Sequence, residues 1–455
     1  MKPSTQEREQ GMGLSLERYI HCVEDAQPIR LEGRVSKVVG TIIEGTGPSM
    51  PVGGVCKIFP PGSEEPVRAE VVGFREGTLL LMPLGRSDGV EPGSIIVSDR
   101  YGASVEIDSQ LLGRVLDGLG NPIDNKGPLK RQKAISLYAP PLNPLERPRI
   151  NEPLDVGIRA INSLITLGKG QRVAIMAGSG VGKSVLLGMM ARFTKADVNV
   201  IALVGERGRE VKEFIERDLG EEGLKRSVVV AATSDTSPLV RIRGAYLATA
   251  LAEFFRKQKK DVLLMMDSVT RFAMAAREVG LASGEPPANK AYPPSTFAHL
   301  PRLLERAGTS RGMGSITGIY TVLVEGDDMN EPIADAVRSI VDGHIVLDRK
   351  LAARGHYPAI DVLSSVSRLM GEVVDNEHLG WAYQFRGTLA DYAKIEDLVN
   401  LGAYKKGQNK RADYAVEMID ELNRFLRQNI DMQSPMEHGL KEMAALLSRK
   451  IHPEP

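Results

Sequence analysis

The chain has 455 residues, 42% hydrophobic and 25% charged, which suits two or three domains rather than one. Lysine plus arginine equals aspartate plus glutamate at 58 each, so no broad nucleic-acid-binding surface is expected. Two cysteines (Cys22, Cys56) exclude a disulfide framework, seven scattered histidines lack zinc-ligand spacing, and neither a secretory signal at Met1–Gly13 nor an apolar run of ~18 residues is present, so the chain reads as soluble and intracellular.

In chain order, Leu16, Tyr19, Ile20 and Val23 fall at helical spacing, which predicts a short amphipathic helix within an N-terminal segment, 1–30. That helix either packs on its own domain or docks a partner. Between 31 and 100, short β-rich pieces (Arg34–Ile43, Val67–Phe74, Thr78–Met82, Ser94–Val97) are cut by glycine and proline, the texture of a small antiparallel barrel. Pro140, Pro141, Pro144, Pro148 and Pro153 then mark an extended connector over Tyr138–Pro153. Beyond it, the apolar runs Arg172–Met176, Asn199–Val204, Ser227–Ala232, Val262–Met266 and Gly318–Val324 alternate with helical segments. Continuous hydrophobicity marks strands buried on both faces, hence a mostly parallel α/β sheet covered by helices.

The first of these runs leads into Ala177-Gly-Ser-Gly-Val-Gly-Lys-Ser184 and a helix-like stretch, Val185–Arg192. Strand, glycine loop and helix start together form the setting of a phosphate-binding loop. Gly178, Gly180 and Gly182 let successive amides turn inward on phosphate oxygens, and the helix N-terminus adds partial positive charge. Lys183 reaches the β- and γ-phosphates in such loops, and Ser184 ligates Mg²⁺. The pattern's first glycine is Ala177 here, a mild departure.

Asp267 ends the run Val262–Asp267, where a carboxylate at the edge of a parallel sheet faces the ligand crevice and can complete a Mg²⁺ shell. Glu206 follows the run ending at Val204; it either positions a hydrolytic water or forms a surface ion pair with Arg207. Gly280–Gly314, rich in proline and glycine with Arg302, Arg306 and Arg311, reads as a long loop, either disordered or functional. Tyr357 and Arg368 read first as packing residues. After about Gly371 the strand signal ends, and Lys410–Gln428 is amphipathic, which predicts a helical C-terminal domain.

Several segments in order carry a family resemblance: Leu112–Asp124 (Leu-Gly-Arg-Val-Leu-Asp-Gly-Leu-Gly-Asn-Pro-Ile-Asp), the connector Pro140–Pro148, Glu152–Ile158, the phosphate loop, Gly205-Glu-Arg207, Asp267-Ser-Val-Thr-Arg271, Tyr292–Phe297 and His356 through Arg368. Over about residues 30–450 the chain resembles the type III protein-export ATPases, most closely the flagellar ones, which are homologous to the catalytic subunits of rotary ATP synthases. The resemblance implies a RecA-like P-loop NTPase core (101–370) between an N-terminal six-stranded barrel (31–100) and a C-terminal helical domain (371–455). It implies Mg²⁺-dependent ATP hydrolysis by a homo-hexameric ring that energises chaperone release and protein export. Lys183, Glu206, Arg207 and Arg368 are then catalytic, with Arg368 acting in trans on the neighbouring site. Gly178, Ser179, Gly180, Val181, Gly182, Lys183, Ser184 and Val185 hold the nucleotide, Tyr357 stacks on adenine, and Ser184 and Asp267 hold the metal. A second adenine-contacting aromatic of the synthase subunits has no counterpart at Gln433–Glu437.

The implied partners are export-gate membrane proteins, regulator or stalk proteins and chaperone–substrate complexes, with no nucleic acid. The implied location is the cytoplasmic face of the inner membrane, in a flagellar or injectisome apparatus. Two rivals use related folds. A non-catalytic ring subunit lacks the water-positioning carboxylate that Glu206 supplies. A hexameric RNA translocase needs a basic, aromatic platform, whereas the barrel segment offers Phe59 and Phe74 without a basic cluster.

Overall fold

The structure, a computed structural model, describes residues 32–448 apart from 100–102, 108–109, 131–132, 325 and 327. The helix expected at 14–23 lies outside the described residues. Strands β1 (Glu32–Val39), β2 (Ile42–Thr46), β3 (Val55–Phe59), β4 (Val67–Arg75), β5 (Thr78–Pro83) and β6 (Ile95–Ser98) close into a barrel in the order β1-β2-β5-β4-β3-β6. Every pair in it is antiparallel. The piece expected at Arg34–Ile43 is in fact a hairpin. Val39 pairs with Ile42, and Gly40, at φ 57°, makes the tight turn that a side chain would strain.

The second sheet has eight strands: β7 (Val115–Asp117), β8 (Arg172–Ala177), β9 (Val198–Val204), β10 (Ser227–Ala232), β11 (Val262–Asp267), β12 (Ile316–Leu323), β13 (Gly343–Leu347) and β14 (Ile360–Ser367). Their order is β14-β13-β8-β12-β11-β9-β10-β7, and all neighbours run parallel except β13 and β14. Strands β9, β10 and β11 are buried at every residue. Val229 faces one hydrophobic core, while Val228 and Val230 face the other. That two-sided burial explains why these runs are continuous in the sequence. β13 and β14 escaped the sequence reading because burial is interrupted along both, and β14 is the edge strand.

Helices cover the sheet: α1 (Arg159–Leu164), α2 (Lys183–Phe193), α3 (Pro238–Lys257), α4 (Val269–Ala282) and α5 (Pro294–Leu304). Helix α5 corrects the loop expected over Gly280–Gly314. Pro294 occupies its first turn, where the missing N–H costs nothing, and Leu300, Leu303 and Leu304 bury one face. Composition misled there because proline can start a helix as well as break a chain. Arg306, just beyond, is fully buried against Glu253, with contacts of 2.7 and 2.9 Å. The C-terminal helices α6 (Asn376–Ala393), α7 (Lys410–Leu426) and α8 (Met436–Ser448) pack Phe385, Met418, Leu422 and Met443 into the same core as Ile161 and Leu164 of α1.

The barrel is fixed to the sheet domain through α3. Leu239 packs among Ile42, Val55, Leu80, Met82 and Leu84 of the barrel. One turn on, buried Arg243 pairs with buried Glu70 of β4, which also accepts a 3.0 Å hydrogen bond from the Tyr138 hydroxyl. Burial pushes the Glu70 carboxyl up, and Arg243 pulls it back. Removing one member of a buried ion pair leaves an uncompensated charge. Arg243→Met is therefore expected to lower unfolding stability by about 3–5 kcal/mol in urea titrations, with Glu70→Gln added in the same chain recovering much of the loss.

Candidate active site

Register builds the site at the carboxyl edge of the parallel sheet. Ala177 ends β8 opposite Leu323 of β12, Met266 of β11 sits opposite Tyr320, and Asp267 lies opposite Leu203 of β9. The phosphate loop, the end of β12, Asp267 and the Gly205–Glu206 turn therefore stand side by side. The loop curls at Gly180 (φ 78°) and Gly182 (φ 90°), both left-handed, and a Cβ at Gly180 would meet nothing within 4 Å. Gly178 and Val181 are buried, Ser179 and Gly180 are exposed, and Gly182 through Val185 are half-buried as the loop enters α2.

Lys183 is the centre of charge. Its ammonium donates to Asp267 Oδ1 and lies 3.7 Å from Glu206 Oε1. Asp267 Oδ1 also accepts a 2.8 Å hydrogen bond from the Thr321 hydroxyl. Glu206 Oε1 is buried without a hydrogen-bond partner among the described residues. Burial, and next the charge of Asp267, push the Glu206 carboxyl up to about 7, against the pull of Lys183.

The other expected residues divide between this cluster and elsewhere. Tyr357 is 44% exposed, and its ring would lie 3.6 Å from a Cβ on Gly182, so it flanks the phosphate loop. Its carbonyl accepts a 3.0 Å hydrogen bond from the Gln428 amide, which ties this corner to the C-terminal helices. Arg207 is not paired with Glu206: its side chain is 80% exposed and pairs with Glu210 at 3.7 Å. Arg368 is exposed at the far end of β14, where Ser367 is opposite Gly343, whereas Leu347 is opposite Ala177 beside the loop. About five strand residues, ~16 Å along the sheet, separate it from its own phosphate loop. Sequence reasoning missed two groups. The Arg271 side chain covers Gly205, beside Glu206, and its Nε is buried without a partner among the described residues. Its place in Asp267-Ser-Val-Thr-Arg271 was the available signal. Thr321 is the other, inside an apolar run that showed nothing.

A metal would fit this edge. Ser184 and Asp267 offer the hard oxygen donors that Mg²⁺ takes. Among the described residues no group of three or more His, Cys, Asp and Glu gathers on its own. Phosphate oxygens and waters would therefore supply the remaining ligands.

A glycine loop opening a helix, a lysine against one buried and one half-buried carboxylate and a mostly parallel sheet define a nucleoside-triphosphate-binding domain of the phosphate-loop class. Residues 157–367 match the nucleotide-binding domain of the ATP synthase alpha/beta family, and residues 374–445 match the type III secretion (T3SS) EscN ATPase C-terminal domain. The chain is 50% identical over 434 residues to the flagellum-specific ATP synthase of Bacillus subtilis (strain 168), covering 95% of this chain and 99% of that one. It is similar to the assembled ATPase EscN of the enteropathogenic E. coli type III secretion system (TM-score 0.86, 44% identity, 91% of this chain and 100% of that one). It is similar too to EscN in complex with its central stalk EscO (TM-score 0.84, 43% identity, 91% and 100%). The chain belongs to the family of flagellum-specific ATP synthases and type III secretion ATPases, and it is an ATPase.

Gly182→Ala tests the loop. A left-handed residue with a Cβ costs about 1–2 kcal/mol, so affinity for a fluorescent adenine nucleotide is expected to fall roughly five- to thirty-fold with the fold intact. Unchanged affinity would mean that this glycine does not shape the phosphate cradle.

Proposed function

We propose that the protein hydrolyses ATP with Mg²⁺ as a homo-hexameric ring at a type III export gate, with each active site completed by a neighbouring subunit. The reading is carried by one observation: the cluster of Lys183, Glu206 and Asp267 is assembled within one chain, while Arg368 stands ~16 Å away at the other edge of the sheet.

In this reading the loop amides and Lys183 hold the phosphates, Tyr357 stacks on adenine, and Ser184 and Asp267 hold the metal. The chemistry that bound Mg²⁺ supplies is neutralisation of charge on the β- and γ-oxygens. Glu206, whose buried Oε1 accepts no hydrogen bond among the described residues, accepts one from the attacking water and aligns it with the γ-phosphorus. Arg271, packed over Gly205, is a further cation beside the Glu206 turn. Arg207 is exposed and suits contact with a subunit boundary rather than with the water. Arg368 of one subunit neutralises transition-state charge in the next.

The relatives' names point to protein export, and the assembly of EscN with a central stalk supports a stalk or regulator as partner here. Export-gate membrane proteins and chaperone–substrate complexes follow from the same kinship. Among the described residues no helix is long and apolar enough to cross a membrane, so the gate would be met peripherally, from the cytoplasmic side.

ATP turnover against protein concentration tests the reading directly. Specific activity is expected to rise steeply as rings form, and a flat profile would argue for a self-sufficient monomer. Arg368→Ala should bind ATP normally yet lose roughly 10³-fold or more in turnover, and mixing it with a Glu206→Gln chain should restore part of the activity. That rescue fails if both residues serve their own chain's site.

Glu206 also predicts a pH dependence. The carboxylate is the working form and titrates near 7, so kcat/KM, which reports the free enzyme, should fall about tenfold per unit below that pH. An acid limb centred near 4.5 would remove Glu206 from the mechanism.

A further inference from the structure

We infer that Thr321 is a positioning residue for the metal-binding carboxylate, acting through Asp267 rather than on substrate. This rests on the proposed metal role of Asp267. Thr321 is fully buried in β12 between Tyr320 and Val322, both also buried. A hydroxyl in such a place is costly unless hydrogen-bonded. It has one proton and two nearby acceptors, Asp267 Oδ1 at 2.8 Å and the Met266 carbonyl at 3.3 Å. The shorter contact, to the charged acceptor, takes it.

The side-chain hydrogen bonds to Asp267 both fall on one oxygen. Oδ1 receives the Lys183 ammonium and the Thr321 hydroxyl, and Oδ2 receives neither. When a triphosphate occupies the loop, Lys183 turns to phosphate oxygens, and one of these two restraints is drawn away. Thr321 does not move with the ligand, because its backbone is pinned in the middle of the sheet between β8 and β11. It therefore keeps hold of Oδ1, and Oδ2, which receives neither hydrogen bond, would be the oxygen available to a metal. A valine has the same shape without the hydrogen bond, so it would leave the carboxylate to rotate once the lysine departs.

The test measures binding of a fluorescent ATP analogue to the full chain as Mg²⁺ is titrated, with a parallel measurement in EDTA. For Thr321→Val, the Mg²⁺ concentration giving half-maximal tightening is expected to rise roughly ten- to hundred-fold, with the EDTA affinity unchanged. Thr321→Ser, which retains the hydroxyl, should titrate within about twofold of the parent. Should the valine chain fail to fold, Thr321→Ala carries the same expectation. A Thr321→Val titration matching the parent, while Asp267→Asn has lost its Mg²⁺ response, would overturn the positioning role alone. An Asp267→Asn chain that responds to Mg²⁺ like the parent would overturn the metal role of Asp267 and this inference with it. Equal losses for Ser and Val would assign the effect to packing at this position rather than to the hydroxyl and also overturn it.

Discussion

One ammonium group facing two carboxylates, one buried and one half-buried, organises this molecule's chemistry. Lys183 bonds Asp267 and stands near Glu206, and both acids are largely withdrawn from water. Burial first, and then the like charge of Asp267, push the Glu206 carboxyl up to about 7, against the pull of Lys183. A triphosphate brings more negative charge to the same edge and competes for the same lysine. The site can accept it only with added positive charge, and the oxygen donors of Ser184 and Asp267 suit a divalent ion for that purpose.

The barrel and the C-terminal helices are held by contacts other than these carboxylates. The barrel is joined to the sheet by a separate buried pair, Glu70 with Arg243, and by the apolar contacts of Leu239. The C-terminal helices are tied in through Gln428, whose side chain accepts from the Arg159 amide at 2.8 Å and donates to the Gly157 carbonyl at 2.8 Å. Its main-chain N–H also donates to Tyr357. The residue flanking the phosphate loop is therefore coupled to the C-terminal helical segment.

How much of this was legible follows from the range of each signal. The phosphate loop, the buried strands and Asp267 lie in contiguous segments whose chemistry is local, so the sequence reading reached them. Glu206 and Arg207 could not be told apart from an ion pair, because which one turns inward depends on the register of β9 beside β11. Thr321 carried no signal at all: a threonine in an apolar run is ordinary, and its partner lies 54 residues away on another strand. Helix α5 was hidden by its own prolines, and β14 by the uneven burial of an edge. What stayed out of reach was side-chain direction and strand adjacency, which arise only when the sheet closes.

The position of Arg368 constrains assembly further. It stands at the amino edge of the parallel strands, while the phosphate loop stands at the carboxyl edge, so the two halves of the proposed site lie on different surfaces of one subunit. A twofold dimer would bring like surface to like surface. Completing the site instead requires the arginine surface of one copy against the phosphate-loop surface of the next, a head-to-tail contact. Such contacts repeat until the rotation closes, which produces a ring, or continue without closing as a filament. A ring gives every subunit both a donated and a received arginine, whereas an open chain leaves one terminal site without its partner's arginine. If Arg368 acts in trans as proposed, the geometry of a single chain favours closed cyclic assembly.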